Sequence, residues 1–251
     1  MSRGGRNWAR DEIIIALYLY YIIPFNQVSA RNATVIEYAQ MLGRTPAALN
    51  MKIGNLGRLD KTLSSQNISG LKNGSKLDIV VWNEFEHQWQ KLVEESERLI
   101  QSYEAVGQTE QKVVWQDKKG IEKVSQVKTR VNQSFFRASV LAAYDNRCCI
   151  TGLNIPELLI ASHIKPWKSD ESNRLNPQNG LCLNALHDKA FDRGLIALAD
   201  DFTVLLSQKI KNAQGFKQWF EPYEKKSIML PERLKPDLDF LKYHREKVFI
   251  D

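Results

Sequence analysis

The sequence predicts an α+β protein in which an N-terminal helical domain of the helix-turn-helix kind precedes a C-terminal ββα domain. Apolar residues recur at helical spacing through most of residues 1–105, which we assign to the first domain. Residues 106–130 are mainly polar and charged, and we interpret them as a linker. Residues 131–251 contain two apolar runs of strand length between helical patterns, and they form the second domain.

The composition is that of an ordinary globular protein, with 43% hydrophobic and 25% charged residues in a chain of 251. The longest apolar run, residues 13–23, includes three tyrosines and is too short for a membrane span, and no secretory signal is visible. We therefore expect a cytoplasmic protein with no membrane partner. A formal net charge of +6 is compatible with a polyanionic partner but does not establish one. The three cysteines lack the C-x-x-C spacing of a zinc ribbon, so no structural zinc is expected.

Two short helices joined by a tight turn are predicted in residues 33–60, after a first helix that ends at Pro24. Gly43 can adopt the left-handed conformation that ends a helix, and Thr45 followed by Pro46 is typical of the start of the next one. This arrangement is that of a helix-turn-helix, and a helical hairpin inside a core is the alternative. On the first interpretation, four outward-facing residues are expected to contact DNA phosphates or base edges: Arg44, Thr45, Asn50 and Lys52.

A long amphipathic helix is predicted over residues 81–100, because apolar residues recur there at intervals of three and four. A polar loop rich in turn-forming residues, 64–76, precedes it. Such a stripe is usually part of a core, and the alternative is the seam of a homodimer. A homodimer would supply the two active sites that a symmetric cut of both DNA strands requires.

A strand, a loop, a second strand and a helix follow one another in the second domain. The apolar segment LLIASHI, residues 158–164, predicts the first strand. The segment GLCLN, residues 180–184, follows a turn signal at Asn179 and predicts the second strand. The segment ALHDKAFDRG, residues 185–194, predicts a helix of about two turns that its last glycine terminates.

This ββα unit would bring His163, Asn179 and His187 together, although they are distant in sequence. A neutral imidazole can take a proton from water near neutral pH. A histidine with a neighbouring carboxylate can hold a divalent metal ion against a phosphate oxygen, and an asparagine can order a loop, orient the base or bind the metal. Together these groups are the minimum for the hydrolysis of a phosphodiester bond.

Four short motifs occur in order in this region: CITG, SHIKPW, NPQNGL and LHDKAFDRG, which begin at residues 149, 162, 176 and 186. With their flanking sequence they resemble the HNH endonuclease family, in particular its bacterial restriction endonuclease branch, over residues 128–251. The resemblance implies a ββα-metal fold, double-stranded DNA as the substrate and Mg²⁺, or Mn²⁺, as the cofactor. It also implies hydrolysis to 5′-phosphate and 3′-hydroxyl ends. The N-terminal segment resembles, through weaker motifs, one found ahead of this nuclease type.

By position in these motifs, His163 corresponds to the family's general base, Asn179 to its central asparagine and His187 to its last histidine, a metal ligand. Two departures leave the metal ligands open. Ser162 stands where many members have an aspartate or histidine ligand. The last motif residue usually lies nine positions after the asparagine, which gives Asp188, so either Asp188 or His187 could bind the metal. Asn179 binds the metal in some members.

Three further side chains, other than histidines, are candidates for roles at this site, and His244 is a weaker candidate. Asp192, one helical turn beyond Asp188, is an additional candidate metal ligand. Arg137 and Lys165 are expected to contact phosphates, and His244 fits the family's C-terminal pattern without a catalytic partner in sequence. The leading hypothesis is a metal-dependent restriction or defence endonuclease of HNH type. The alternatives are a non-catalytic DNA-binding regulator with an HNH-like scaffold and a non-specific HNH nuclease toxin.

Overall fold

The chain forms two compact units, Met1–Phe135 and Phe136–Asp251. Within its described residues, no helix is long and apolar enough to cross a membrane. The computed structural model describes the backbone of residues 6–64, 74–108 and 121–251, and the side chains of these residues except 64, 106–108 and 121–131.

The N-terminal unit is built from α-helices. The last of its helices, α7, begins in this unit and ends in the next, because the boundary between the units falls between Phe135 and Phe136. The helices are α1 (Arg10–Ile22), α2 (Ala33–Met41), α3 (Pro46–Gly57), α4 (Lys61–Ser64), α5 (Lys76–Phe85), α6 (Trp89–Gln108) and α7 (Ile121–Ala143).

Helix α1 is the centre of the N-terminal unit. Its apolar run from Ile13 to Tyr21 is buried, and the helix packs against α3, α5 and α6. Aromatic rings surround its C-terminal half: Tyr20 lies 5.7 Å from Trp82 and Tyr21 lies 4.8 Å from Trp89, measured between ring centroids. The apolar run is therefore a core helix, as its length and its tyrosines predict.

The predicted pair of short helices is confirmed in α2 and α3. Gly43, in the turn between them, has a φ of 61°, in the left-handed region that glycine adopts without strain. Thr45 caps α3, because its hydroxyl oxygen accepts a hydrogen bond from the backbone N–H of Ala48 at 3.2 Å. Pro46 is the first residue of the helix, where its missing N–H costs nothing.

The prediction of one continuous helix over residues 81–100 is wrong. Helix α5 ends at Phe85 and α6 begins at Trp89, and His87 between them has a φ of 60°. Both helices pack on α1 and on each other, so the chain turns between them. The apolar side chains of the stripe are at most 9% exposed, so they belong to the core. The stripe therefore offers no seam for a homodimer.

The segment expected to be a linker, residues 106–130, is only partly described. Residues 109–120 lie outside the described residues, and residues from Ile121 onward are helical in α7. The polar loop expected at 64–76 is described only at its ends, and Lys76 is the first residue of α5. The domain boundaries stay a prediction.

The C-terminal unit contains the predicted ββα arrangement. Strands β1 (Leu159–His163) and β2 (Gly180–Asn184) are antiparallel, with His163 opposite Gly180. Helix α8 (Ala185–Asp192) follows β2 directly and packs on both strands. The fold class, an α+β chain with a C-terminal ββα unit, is confirmed. The remaining elements are β3 (Ile196–Leu198) and β4 (Val204–Leu206), which form a second hairpin, α9 (Gln208–Lys211), α10 (Phe216–Trp219) and α11 (Leu238–Lys247).

Gly194 ends α8 and brings the C-terminal segment to it. Its φ is 66°, and a Cβ atom at this position would lie 1.9 Å from the carbonyl oxygen of Val248. The backbone N–H of Ile250 donates to the Gly194 carbonyl at 2.8 Å. This close approach places α11, and with it His244, against the ββα unit.

Candidate active site

A cleft of about 590 Å³ lies beside the end of β1 in the C-terminal unit. Three parts of the chain line it: the end of β1 with the loop that follows, one face of α8, and α11. The polar and aromatic lining residues used below are Ser162, His163, Trp167, Asp188, Asp192 and His244.

His163 is the last residue of β1, and its ring is held in one tautomer. Its Nε2 lies 3.0 Å from the carbonyl oxygen of Arg174, which can only accept a hydrogen bond, so Nε2 carries the proton in the neutral ring. Nδ1 is then the nitrogen that can accept a proton. The ring stacks on Phe136, with centroids 3.7 Å apart, and Trp167 meets it edge-on at 5.4 Å.

Burial lowers the pKa of His163 below its ordinary value, and the hydrogen bond to the Arg174 carbonyl only partly opposes this shift. The imidazole is therefore neutral at neutral pH. A neutral, fixed imidazole in a cleft has the properties of a general base.

Asn179 ties the loop after β1 to the start of β2. Its Oδ1 accepts from the backbone N–H of Lys165 at 2.8 Å. Its Nδ2 donates to the carbonyls of Lys165 and Asn173, at 3.2 and 3.3 Å. The residue is 1% exposed, and these contacts are those of a residue that orders the loop.

Helix α8 presents two carboxylates to the cleft. Asp188 and Asp192 are four residues apart, so they lie on the same face of the helix. Partial burial and the charge of Asp188 raise the pKa of Asp192 above its ordinary value. On β1, the hydroxyl oxygen of Ser162 is buried and has no hydrogen-bond partner. The cleft thus combines two acidic oxygen ligands with an unsatisfied hydroxyl.

The expectation that His187 lies with His163 is wrong. His187 is next to Asp188 on α8, but successive helix positions are rotated by about 100°. Its side chain points into a second cavity, which shares no lining residue with the cleft. Its Nδ1 lies 3.0 Å from Oδ1 of Asn184, the residue that caps the helix. Of the two alternatives left open by the motif spacing, the structure brings Asp188 to His163.

Burial lowers the pKa of His187 to about 4. The backbone carbonyl of Trp219 lies near the His187 ring and partly opposes this lowering of the pKa. It is not within hydrogen-bonding geometry of the ring, and Nε2 of His187 has no partner. The ring also meets Phe220 and Tyr223 edge-on, at 5.5 and 5.4 Å between centroids.

The segment that forms β1, β2 and α8 also matches a known family. Residues 148–199 match the family model described as HNH endonuclease. This segment is an HNH endonuclease domain. A comparison of the chain with curated proteins finds no significant match. The HNH domain is a nuclease domain, so nucleic acid is its substrate, and the matched segment contains every cleft residue named above except His244.

The cleft of the HNH domain fits a hard divalent cation. Mg²⁺ usually binds through one or two carboxylates and completes its shell with waters and substrate phosphates. Asp188 and Asp192 would supply the carboxylates, and the unpartnered hydroxyl of Ser162 would be a further, weaker oxygen donor. Among the side chains that the structure describes, no group of three or more His, Cys, Asp or Glu could enclose a metal ion. Phosphate oxygens of the substrate would therefore be needed to complete the shell.

The two other cations expected at the HNH domain both have protein partners. Arg137 donates to the carbonyls of Leu159 and Pro156, at 2.8 and 3.2 Å, and so braces the start of β1. Lys165 pairs with Asp170 at 2.9 Å, and its Nζ lies 5.0 Å from the centroid of the Tyr243 ring. Contacts of Arg137 and Lys165 to phosphate stay a prediction.

In the N-terminal unit, the expectation that Arg44 and Lys52 face outward is wrong. Arg44 binds both oxygens of Glu12, at 2.9 and 2.7 Å, and its side chain is 4% exposed. Lys52 binds Asp78 at 2.7 Å and is 6% exposed. Glu12 and Asp78 are buried acids, and a buried carboxylate needs a cation. Thr45 is exposed and Asn50 is partly exposed.

His244 is a site residue whose role the sequence does not indicate. It is 2% exposed, lines the cleft, and stacks on Phe191 with centroids 3.7 Å apart. Its Nε2 lies 3.2 Å from the Phe191 carbonyl oxygen, and its Nδ1 has no partner. Burial lowers its pKa to about 4. It lies 52 residues beyond Asp192, so no local spacing could place it in the cleft.

Proposed function

We propose that this protein is a metal-dependent DNA endonuclease of HNH type, which hydrolyses phosphodiester bonds to 5′-phosphate and 3′-hydroxyl ends. One observation carries the proposal: a neutral His163, fixed so that Nδ1 is its free nitrogen, shares a cleft with Asp188. The combination supplies a base for water and a carboxylate for a cation that binds phosphate.

His163 acts first as the base. Its Nδ1 takes one proton from a water molecule, and the water oxygen forms a bond to phosphorus. The bond from phosphorus to the 3′ oxygen breaks, and this oxygen takes a proton from solvent water to become the 3′-hydroxyl. The imidazolium that forms donates through Nε2 to the Arg174 carbonyl, a hydrogen bond that becomes stronger when the ring is charged. Phe136 and Trp167 fix the plane of the ring during this step. A divalent cation, when bound, supplies Lewis acidity that stabilises charge on the phosphate oxygens.

Asn179 contributes by position. Its three hydrogen bonds hold the backbone of the loop that carries Lys165 and Asn173 against β2. The Arg174 carbonyl that fixes the His163 ring belongs to the same loop. Loss of Asn179 would therefore free the loop, and the Arg174 carbonyl would no longer fix the tautomer of His163.

The N-terminal unit, residues 1–105 in our division, is proposed to select the DNA of a restriction or defence system. The support for contact through α3 is limited to Thr45 and Asn50, which are accessible. The exposed face of α3 carries no cation, because Lys52 is its one basic residue and is buried. Attraction to phosphates must then come from other parts of the chain.

The proposal is tested by incubating methylated and unmethylated plasmid with the protein in Mg²⁺, in Mn²⁺ and in a chelator. We expect metal-dependent cleavage that is lost in His163→Ala, while DNA binding is retained. His87→Ala is the matched control, since His87 is an exposed histidine of the N-terminal unit. Cleavage by His163→Ala would refute the mechanism.

The same assay separates the alternatives. Binding without cleavage under every condition would favour a DNA-binding regulator on an HNH scaffold. Cleavage with discrete bands indicates a restriction enzyme, whereas a smear without site preference indicates a non-specific nuclease toxin.

A further inference from the structure

The cavity that contains His187 has about 560 Å³, a size typical of ligand pockets. It is lined by residues of α8 with its cap, of the turn at 151–153, by Leu158 just before β1, and by residues of α10 with the segment after it. None of them lines the catalytic cleft. The residues used below are Asn184, Leu186, His187, Gln218, Trp219 and Tyr223.

His187 lines this cavity and has a buried ring nitrogen without a hydrogen-bond partner. The backbone N–H of His187 donates to a side-chain atom of Asn184 at 3.0 Å, so that atom is the oxygen, Oδ1. Nδ1 of the His187 ring lies 3.0 Å from the same oxygen and must donate to it. In the neutral ring, Nε2 then carries the free lone pair. This nitrogen is buried without a partner, in a residue only 3% exposed.

The walls of the cavity are flat and largely apolar. Trp219 is 52% exposed and Leu186 45% exposed, both high values for large apolar side chains. Tyr223 lines the cavity beside the His187 ring, and Gln218 adds an amide that can both donate and accept. Aromatic walls with a central acceptor and an amide suit a planar heteroaromatic ring that bears N–H groups.

The segment that supplies Gln218, Trp219 and Tyr223 is suited to an anionic chain. Lys217, Lys225 and Lys226 flank the wall residues and are exposed, with Glu221 as the exposed acid of the same segment. The fourth lysine nearby, Lys211, is paired with Glu224. The free cations therefore exceed the free acids along this segment, which favours a phosphodiester backbone.

We propose that this cavity binds one unpaired nucleobase of a nucleic acid strand, with its ring against Trp219 and an N–H donated to Nε2 of His187. The inference rests on the proposed function in one respect, namely that nucleic acid is the substrate. It assigns to His187 a binding role outside the catalytic cleft, and it predicts that the domain holds single-stranded or locally opened nucleic acid.

The test is binding of a short fluorescein-labelled single strand to the full chain in chelator, measured by fluorescence anisotropy. Trp219→Ala is compared with Leu238→Ala, which removes another apolar side chain of similar exposure, 48%, outside the cavity. We expect Trp219→Ala to weaken binding about five- to 150-fold, the range for loss of one base stack, and Leu238→Ala to have no effect. A matched strand with abasic sites should bind the unaltered protein more weakly than the normal strand does. It should bind the unaltered protein and Trp219→Ala with equal affinity, because it has no base to stack on Trp219.

Equal binding of the normal strand by Trp219→Ala and the unaltered protein would overturn the proposal. If that variant instead changes from dimer to monomer in light scattering without losing strand binding, the cavity belongs to an interface with a second copy, which also overturns it. Because the assay contains no metal, its result is independent of cleavage. Plasmid cleavage with Trp219-independent binding would refute this inference alone. Trp219-dependent binding without plasmid cleavage would refute the proposed nuclease alone.

Discussion

Replacement of Arg44 tests whether this side chain stabilises the fold instead of contacting DNA. Arg44 donates four hydrogen bonds: two to Glu12, and one each to the carbonyls of Arg6 and Asn7, both at 2.8 Å. In Arg44→Met, the carboxylate of Glu12, which is fully buried, would keep the backbone N–H of Ala9 and one charged partner, Arg6, whose side chain is 42% exposed. Loss of one partner of a buried ion pair costs about 3–5 kcal/mol, and the remaining Arg6 contact places the cost near the lower value, ~3 kcal/mol.

The measurement is urea unfolding of the full chain, followed by tryptophan fluorescence and circular dichroism. The double variant Arg44→Met with Glu12→Leu should recover most of the loss, because it removes the buried charge together with its partner. Arg98→Ala is the control, since its side chain is 62% exposed and pairs with Glu95 at the surface. A loss below about 1 kcal/mol in Arg44→Met would refute the reasoning, since surface pairs already reach that value.

The same pair predicts a pH dependence. Burial alone would raise the pKa of Glu12, but hydrogen bonds from Arg44 and from the Ala9 N–H, with the charges of Arg44 and Arg6, leave it below its ordinary value of 4.5. A lowered pKa in the folded state contributes stability above the unfolded pKa, and this is lost as the pH falls through the folded value. The difference between Arg44→Met and the unaltered protein should therefore shrink below pH 4.5.

Three further predictions concern the HNH domain. In the metal-free protein, the imidazole resonances of His163 should titrate below 6.5, and a midpoint at or above that value would contradict the burial of the ring. Asp188→Asn should weaken Mn²⁺ binding, measured by calorimetry, by at least about tenfold, the smallest effect typical of altered metal sites, and His187→Ala should leave it unchanged. Weaker Mn²⁺ binding in His187→Ala with unchanged binding in Asp188→Asn would show that His187 is the ligand. Asn179→Ala should destabilise the C-terminal unit by about 3 kcal/mol, near 1 kcal/mol for each of its three hydrogen bonds, and abolish cleavage. A stable, active variant would show that these hydrogen bonds are not needed to order the loop.

Local signals in the sequence were sufficient for most of the architecture and for the position of His163 at the end of a strand. Thr45, Pro46 and Gly43 define the turn between α2 and α3 because caps and left-handed glycines act within a few residues. Alternating short apolar runs and a terminating glycine define β1, β2 and α8 in the same way. The motif order then identifies the HNH domain, and with it the position of His163.

Tertiary structure decided which side chains are available to act. Arg44, in the turn before α3, and Lys52, on α3, were predicted to be exposed, yet they are buried in ion pairs with Glu12 and Asp78, which are distant in sequence. The break at His87 follows from the packing of α5 and α6 on α1 and has no glycine or proline to announce it.

The choice between His187 and Asp188 could not be made from spacing. One residue along a helix changes the direction of a side chain by about 100°, and only the packing of α8 on β1 and β2 fixes which direction is the cleft. The sequence determined that a histidine ends β1 and that α8 carries acidic residues, since both features lie within single elements. The structure decided that Asp188 shares a cleft with His163 while His187 lines a different cavity, because that depends on how the elements pack together.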